Sequence, residues 1–585
     1  MKTAKKILLG VSLITLLLAL ILTPFTGAID ENVTAGNTTD GVWDIINDDI
    51  LSDDSLLASL GDSPTTWTVH PTDKSANFRT IQSAIDNSNV AYGDSIEVWN
   101  GTYNESVVLD KRLTLYSMDG ANLTIVDVGG SGNAITIKAD SCTLDGFMAT
   151  GSGHYPGDAG IKVESNGNVI VNNTCCANKY SGIRLSDSSN NLILNNTCYE
   201  NFHAGIYLWN SANNTISNNE IGDNNKDGIY LSDSSDNRIR NNKVSKNIDS
   251  GIDLLNSWNN TISNNYCYEN KGQGIYLADC SNNIIKNNGI WHNDMDGIYM
   301  MACSNNIIRN NEIYDNIGDG LYISQSSNNV VSNNEIYKNL QAGVHVAYSS
   351  NNRIYCNDFV NNSMNVNSYD SDSIWNSMSA YTYNGSQYTS YIGNYLSDYV
   401  GADNNSDGIG DVSYGISGEL FEEAGPYGNI FFYDLGGEDL NMSYDFGDDN
   451  SSDEFYFFDD DYEPIIWPTD PFMSEFTEEE DTHPLIRPFK FYILENVLPI
   501  ADFTFSPPDP TVNERVTFDA SSSYDPDGAI ILYQWDFGDG NITSTTESTI
   551  THYYRSTADY AVTLMLIDDS GAISSTSKVI TIRLL

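Results

Sequence analysis

Three sets of residues have types and spacings that could do chemistry. Asp296 and Asp319 are 23 residues apart, and each stands directly before a glycine. If that spacing stacks as neighbouring strands, the carboxyls lie about 5 Å apart, close to the separation retaining glycosidases use. One carboxyl of so close a pair would keep its proton and serve as an acid. A shared cation or two solvated turn residues are the other readings. Asp227 has the same phase but lies too far along the chain to join them. Tyr207, Tyr230, Tyr276, Tyr299 and Tyr322 share a second phase, interrupted by Asp253. An aromatic row at strand spacing would form a track for stacking sugars, although tyrosine is also simply a good exposed strand residue. Asp403, Asn405, Asp407, Ile409 and Asp411 place oxygen ligands at alternate positions around Gly408. That order matches three-quarters of an EF-hand-type calcium loop. Its closing glutamate is replaced by Tyr414, so another carboxylate would have to complete a calcium site. A solvated Asx-rich turn is the alternative.

A repeat positions the first two sets. The tetrapeptide GIRL at Gly182 returns as variants at Gly205, Gly228, Gly251, Gly274, Gly297, Gly320 and Gly343, always after 23 residues, with a degenerate copy at Gly160. A fixed period of this length signals a solenoid. The residues one and three places after each glycine are apolar and the one between is polar or aromatic, which is strand alternation. A second apolar column runs from Ile193 to Ile354 and a third from Cys175 to Phe359. Three short strands in 23 residues leave no room for a helix. The expected fold is all-β, a three-sided parallel β-helix rising about 4.8 Å per coil.

Three asparagine columns, beginning at Asn191, Asn196 and Asn201, accompany the strands. Asparagine tolerates the left-handed backbone of tight turns, and its amide can bond along a stack. Eight cysteines fall in the same region. Cys175 and Cys198 share one phase and Cys280 and Cys303 another, close enough for disulfides; free buried thiols are the alternative.

Of 585 residues, 79 are acidic and 27 basic, a formal charge of −52. Such a surface repels phosphate backbones, so nucleic acid is excluded as a partner, while cations and neutral glycans are not. Lys2, Lys5 and Lys6, the apolar run 7–22 and the small residues before Ile29 read as a signal peptide, residues 1–28. Left uncleaved, that segment would be the one contact with a membrane. Residues 29–66 read as an acidic linker. The absence of a CxxC pair and the scattered histidines argue against zinc. Residues 416–496 read as a mostly solvated acidic insertion, with a loose calcium-binding surface as the alternative, since residues 401–500 hold 25 acidic and 2 basic side chains. From residue 497 onward, short alternating strands with frequent turns read as a β-sandwich.

Residues 78–88, with apolar Phe78, Ile81, Ala84 and Ile85, precede the GTYNE turn at 101–105. With the Asn-rich repeats, this resembles the capped right-handed β-helix of pectin-lyase-like proteins, closest to the NosD-type, carbohydrate-binding and sugar-hydrolase group. The resemblance covers about residues 67–415. It implies cap helix and first coils over 67–158, regular coils over 159–365 and a closure over 366–415. The paired-Asp and Gly-His-Gly motifs of polygalacturonases and the Asp-Pro-His motif of mannuronan epimerases are missing, so it implies the fold and not those activities. The NosD link raises copper, for which His292, Met295, Met300 and Met301 are the soft ligands in sequence; Met300 has an inward phase, and copper is not expected. Tyr533 to Gly540 (YQWDFGDG) with Asp525 to Gly528 (DPDG) resembles a PKD domain over 497–585. That implies an immunoglobulin-like spacer or adhesion module with Trp535 in its core.

The resemblances together imply an exported cell-surface protein of archaeal type that binds a polysaccharide or envelope component. Its rival is a hydrolase or lyase on the strand face; few bases near Asp296 and Asp319 argue against a lyase, which needs one. A purely structural envelope role is the third reading.

Overall fold

The computed structural model describes residues 64–585, except 417, 419–478, 495–497, 526–529, 547, 569–571 and 585. The signal peptide, most of the acidic linker and insertion, and residues 526–528 of the PKD-like motif therefore lie outside the described residues.

Alternation over three short strands per coil gives three parallel sheets. Sheet A has 14 strands, from Thr66–Val69 to Asp372–Ile374. Sheet B has 13, from Gly101–Tyr103 to Tyr395–Leu396. Sheet C has 12, from Val107–Leu109 to Met364–Tyr369. Each repeat sits on the next in unbroken register, Ile206 on Ile229 and Leu208 on Leu231 in sheet C, Ile216 on Ile239 in sheet A. The columns read as inward are inward: Ile193, Ile216, Ile239, Cys198 and Ile290 are all buried, in one core running from Val69 to Ile416. The fold is the right-handed parallel β-helix expected.

The asparagine columns bond along the axis. Asn242 Oδ1 accepts both the backbone N–H and the Nδ2–H of Asn219, at 2.9 Å each. Its own Nδ2 donates to Ile216 O (2.9 Å) and Asn265 Oδ1 (3.0 Å). A buried amide is thus fully satisfied, which is what burial of a polar group requires. One expectation is corrected. The left-handed residues are not the ladder asparagines but their predecessors, Asn190, Asn195 and Glu200 with φ of 59°, 54° and 53°. The chain bends there and so turns the following amide inward.

Both ends are closed. At the first, the expected helix is one short turn, α1 (Ile81–Ile85), capped by Thr80, with Ile81, Ala84 and Ile85 fully buried against the first coils. At the second, residues 479–494 are a folded part of the acidic segment 416–496 that reads as mostly solvated. Glu479–Asp481 pairs with Tyr414–Ile416, and Tyr492–Leu494 pairs with Ser377–Tyr383. Leu485 and Tyr492 are buried, and Asp481 accepts from the Asn394 amide. The apolar side chains carried by this acidic stretch pull it onto the open end of the solenoid.

Residues 498–584 form the expected sandwich, a three-stranded sheet (Thr504–Ser506, Arg515–Asp519, Thr549–Tyr553) with a four-stranded one (Ile530–Asp536, Ile542–Thr545, Asp559–Asp568, Ile573–Thr581). Trp535 is fully buried in its separate core.

Candidate functional site

The outward column of sheet C is the richest in chemistry. Reading down the register it holds Lys162, Arg184, Tyr207, Tyr230, Asp253, Tyr276, Tyr299, Tyr322 and His345. Strand geometry sets one side chain per coil, so the predicted tyrosine row exists. Its rings pack on one another, at 4.9 Å for Tyr207 and Tyr230, 5.4 Å for Tyr276 and Tyr299, and 4.9 Å for Tyr299 and Tyr322. Ring faces turned to neighbouring rings are not open platforms, and the row presents mainly edges and hydroxyls. Tyr207 is buried, with the Arg184 guanidinium 4.5 Å over its ring.

Asp296 and Asp319 are not solvated. Both are buried, at 5% and 3% exposure. Asp296 Oδ1 accepts the Asp319 N–H and Asp319 Oδ1 accepts the Ala342 N–H, at 2.6 Å each. Asp227 does the same for Ser250. This column is therefore a carboxylate version of the asparagine ladder, with oxygens turned to the next coil's backbone. Asp319 Oδ2 lies 3.0 Å from His345 Nδ1, and the His345 ring stacks on Tyr322 at 4.4 Å. The expectation of a base-poor face is corrected here: His345 was already one of the 23-residue positions, but it was read only as part of a variant tetrapeptide.

A second cluster sits four coils earlier, where Asp253 had been read as a mere interruption. Asp253 Oδ1 is buried without a hydrogen-bond partner, and so is His203 Nδ1. Burial first, then the charges of Asp227 and Asp249, hold the Asp253 carboxyl well above the usual carboxylate range. Burial, then Asp249, pushes Asp227 up to about 7. His203 stacks on Tyr180 at 4.4 Å and approaches Tyr230 at 6.2 Å. Burial, helped by Lys226 and Arg184, lowers its pKa to about 4, so the imidazole is neutral at pH 7. His203 lies in a turn outside the strand phases, and no spacing pointed to it.

Sheet B carries a further ladder that the sequence reading missed although its phase was visible. Tyr268, Trp291, Tyr314 and Tyr337 stack with interplanar angles of 3°, 9° and 0°.

The Asp-rich loop closes on itself. Asp403 accepts from the amides of Asp407 and Gly408, Asp407 from that of Ile409, and Asp411 from Asn404. Gly408, at φ 93°, is pressed against Tyr383 and Tyr492, where a Cβ would come within 2.9 Å. The donor set is all oxygen, which suits calcium chemically, but its carboxylates are engaged with the loop's own amides. Among the described residues no three His, Cys, Asp or Glu side chains converge as metal ligands. Met300 is core, and His292 Nε2 lies 3.9 Å from Asp315 Oδ2. All eight cysteines are free and buried.

Comparison with known proteins matches this architecture in pieces. Residues 204–359 and 254–394 match the right handed beta helix region, residues 87–271 the periplasmic copper-binding protein (NosD), and residues 496–583 the PKD domain. A cell surface glycoprotein of Methanothermus fervidus is 38% identical over 101 residues, 17% of this chain and 16% of that protein. Collagenase ColA of Clostridium perfringens is 43% identical over 67 residues, 12% of this chain and 6% of the collagenase. The chain thus spans only a small part of these relatives. Among solved structures, the A-module of a mannuronan C-5 epimerase from Azotobacter vinelandii is 16% identical with a TM-score of 0.34, over 50% of this chain and 90% of the module.

Proposed function

Because the chain joins a right-handed β-helix region to a C-terminal PKD domain, we propose that it is an exported or cell-surface protein that binds a polysaccharide or envelope glycan along sheet C. The carrying observation is the outward column from Lys162 to His345, in which aromatic, cationic and acidic side chains follow one another at strand spacing. A polymer of sugars offers hydroxyls at regular intervals, and a ladder of hydroxyls, carboxyls and imidazoles can meet them repeatedly; many weak contacts in series give useful avidity. The PKD domain and the cell surface glycoprotein relative support a location outside the cell. Among the described residues no helix is long and apolar enough to cross a membrane.

Cleavage is the second reading. It is favoured at Asp253, whose Oδ1 has no hydrogen-bond partner and whose carboxyl is biased by burial toward the proton-donating form, rather than at Asp296 and Asp319, each of which turns an oxygen to the backbone of the next coil. Calcium at the loop around Gly408 is a structural proposal, supported by donor chemistry alone; it requires the Asp403 and Asp411 carboxylates to exchange amide partners for the ion.

The test uses residues 29–585, with and without calcium, incubated with neutral and acidic polysaccharides. Co-sedimentation without new reducing ends, weakened by Tyr276→Ala and Tyr299→Ala, supports binding. New reducing ends that disappear in Asp253→Asn support cleavage. The absence of both glycan retention and new reducing ends would refute both.

A further inference from the structure

The middle of sheet C differs from its ends. Lys162 and Arg184 bring positive charge to the first coils. From Tyr230 to Tyr276 the outward column holds two phenols with one carboxyl between them. That carboxyl has one oxygen buried with no donor near it, yet the residue keeps some exposed surface. Beside Tyr230 stands His203, with a ring nitrogen also buried and unpartnered. Buried polar atoms without partners are rare in folded proteins and call for an explanation.

The charges facing Asp253 are of the wrong sign to settle it as an anion. Asp227, in the preceding coil, and Asp249 both oppose its ionisation, while Lys226 alone favours it. Lys226 also lies 3.4 Å from Asp249, on the exposed surface. Tyr230, Tyr276 and Cys280 are further titratable neighbours, and burial first, then the charge of Asp253, raises the pKa of the two phenols. A buried oxygen with no hydrogen-bond partner, among like charges, favours the protonated carboxyl, whose O–H is a donor and whose carbonyl is an acceptor. Phenols flank the carboxyl here and an imidazole stands beside Tyr230, with Asp227, Asp249 and Lys226 bearing on the carboxyl as well.

Resting on the glycan-binding reading above, we propose that this segment is a subsite for a neutral, hydroxyl-bearing sugar ring, which Asp253 engages as a hydrogen-bond-donating carboxylic acid, and which rejects uronates and other anionic sugars. A sugar hydroxyl can both donate to and accept from such a carboxyl. A sugar carboxylate would instead meet Asp227 and Asp249 in a chain already carrying a formal charge of −52, and unfavourable like charges in a partly desolvated site are a strong basis for discrimination.

The test is affinity electrophoresis of residues 29–585 in gels containing dextran, a neutral mannan or polygalacturonate, between pH 5 and pH 9. Retention by a neutral polysaccharide should weaken at least tenfold as pH rises and Asp253 ionises, and polygalacturonate should not retain the protein at any pH. Asp253→Asn, whose amide keeps a donor and an acceptor, should bind at all pH values. Asp253→Leu should lose at least tenfold throughout. Asp227→Asn, which removes a carboxyl that opposes the ionisation of Asp253, should keep a pH dependence, displaced to lower pH. Circular dichroism checks that each variant is folded. Tighter binding to polygalacturonate than to neutral glycans, a pH dependence that survives in Asp253→Asn, or wild-type binding by Asp253→Leu would each overturn the subsite while leaving glycan binding intact. Failure of the wild-type chain to bind any glycan would overturn the underlying reading and the subsite with it.

Discussion

At the scale of single residues, the asparagine ladders matter more to this fold than any one apolar contact. Asn242 illustrates why. Replacing it with Ala removes four side-chain hydrogen bonds at once and leaves buried partners on three sides: the Asn219 amides, Ile216 O and Asn265 Oδ1. Each buried group left without a partner costs about 1–3 kcal/mol. Asn242→Ala should therefore lower stability by at least about 3 kcal/mol, measured as a shift of the urea midpoint. Asn242→Asp keeps both acceptors but loses both donors and buries a charge, and should be worse; equal or milder loss would mean the ladder is not structural. The ladder was legible in the sequence because every member shares a phase. Which asparagine of a pair such as Asn195–Asn196 takes the left-handed turn was not legible, because both residue types suit either role and only the direction of the strand decides. Glu200, at φ 53°, carries no signal at all for that backbone.

At the scale of elements, the two ends of the solenoid depend on carboxylates that do different things. Glu105 lies in the turn read as the start of the first coils, and it accepts from the amides of Ile81 and Gln82 at 2.8 and 2.9 Å. It therefore caps α1 from outside the helix, at the positive end of the helix dipole. Glu105→Ala should cost about 1–3 kcal/mol, since hydrogen bonds to charged groups sit at the upper end of the range, and should raise hydrogen exchange in the first coils before the rest. At the other end, burial pushes Asp358 and Asp481 up from 3.8 to about 7. The folded chain then binds these protons more tightly than the unfolded one. Their stabilising share is complete below about pH 4 and is lost as pH rises to about 7. Asp481→Asn and Asp358→Asn should each flatten the fall in thermal midpoint between pH 5 and pH 7.5 relative to the parent. A slope unchanged in both variants would refute this assignment. Nothing local in the sequence signals that residues 479–494 close the solenoid, because their strand partners, Tyr414–Ile416 and Ser377–Tyr383, are remote in the chain and their acidic surroundings resemble a solvated segment. The candidate site was legible in part for a related reason. Phase alone located Tyr230, Asp253 and Tyr276 and set Asp253, two places after its glycine, apart from Asp296, one place before its own, but whether each carboxyl points at backbone, solvent or nothing is settled only by its three-dimensional neighbours.

At the scale of the molecule, the described residues gather three hydrophobic clusters, and the two largest are built on different principles. The solenoid core runs through every coil from Val69 to Ile416, each coil touching chiefly its neighbours, while the PKD core gathers Phe503, Phe518, Trp535, Phe537 and Tyr554 around one centre. Nearest-neighbour stacking lets a solenoid fray from its ends, whereas a compact sandwich of under 100 residues unfolds as one unit. Calorimetry should accordingly resolve two transitions, and a single two-state peak would contradict independent cores. Trp535 distinguishes them. It is fully buried and packs edge-on to Phe503 at 5.1 Å. Trp535→Ala should destabilise its own unit by about 3–5 kcal/mol, as truncation of large buried aromatics does, and move only one of the two transitions. Its effect on glycan retention then separates two roles for the sandwich. If retention survives melting of the PKD transition, the sugar-binding surface belongs to the β-helix and the sandwich serves to space or attach it. If retention is lost at that transition, the sandwich itself takes part in binding, and the sheet C face cannot be the whole of the site.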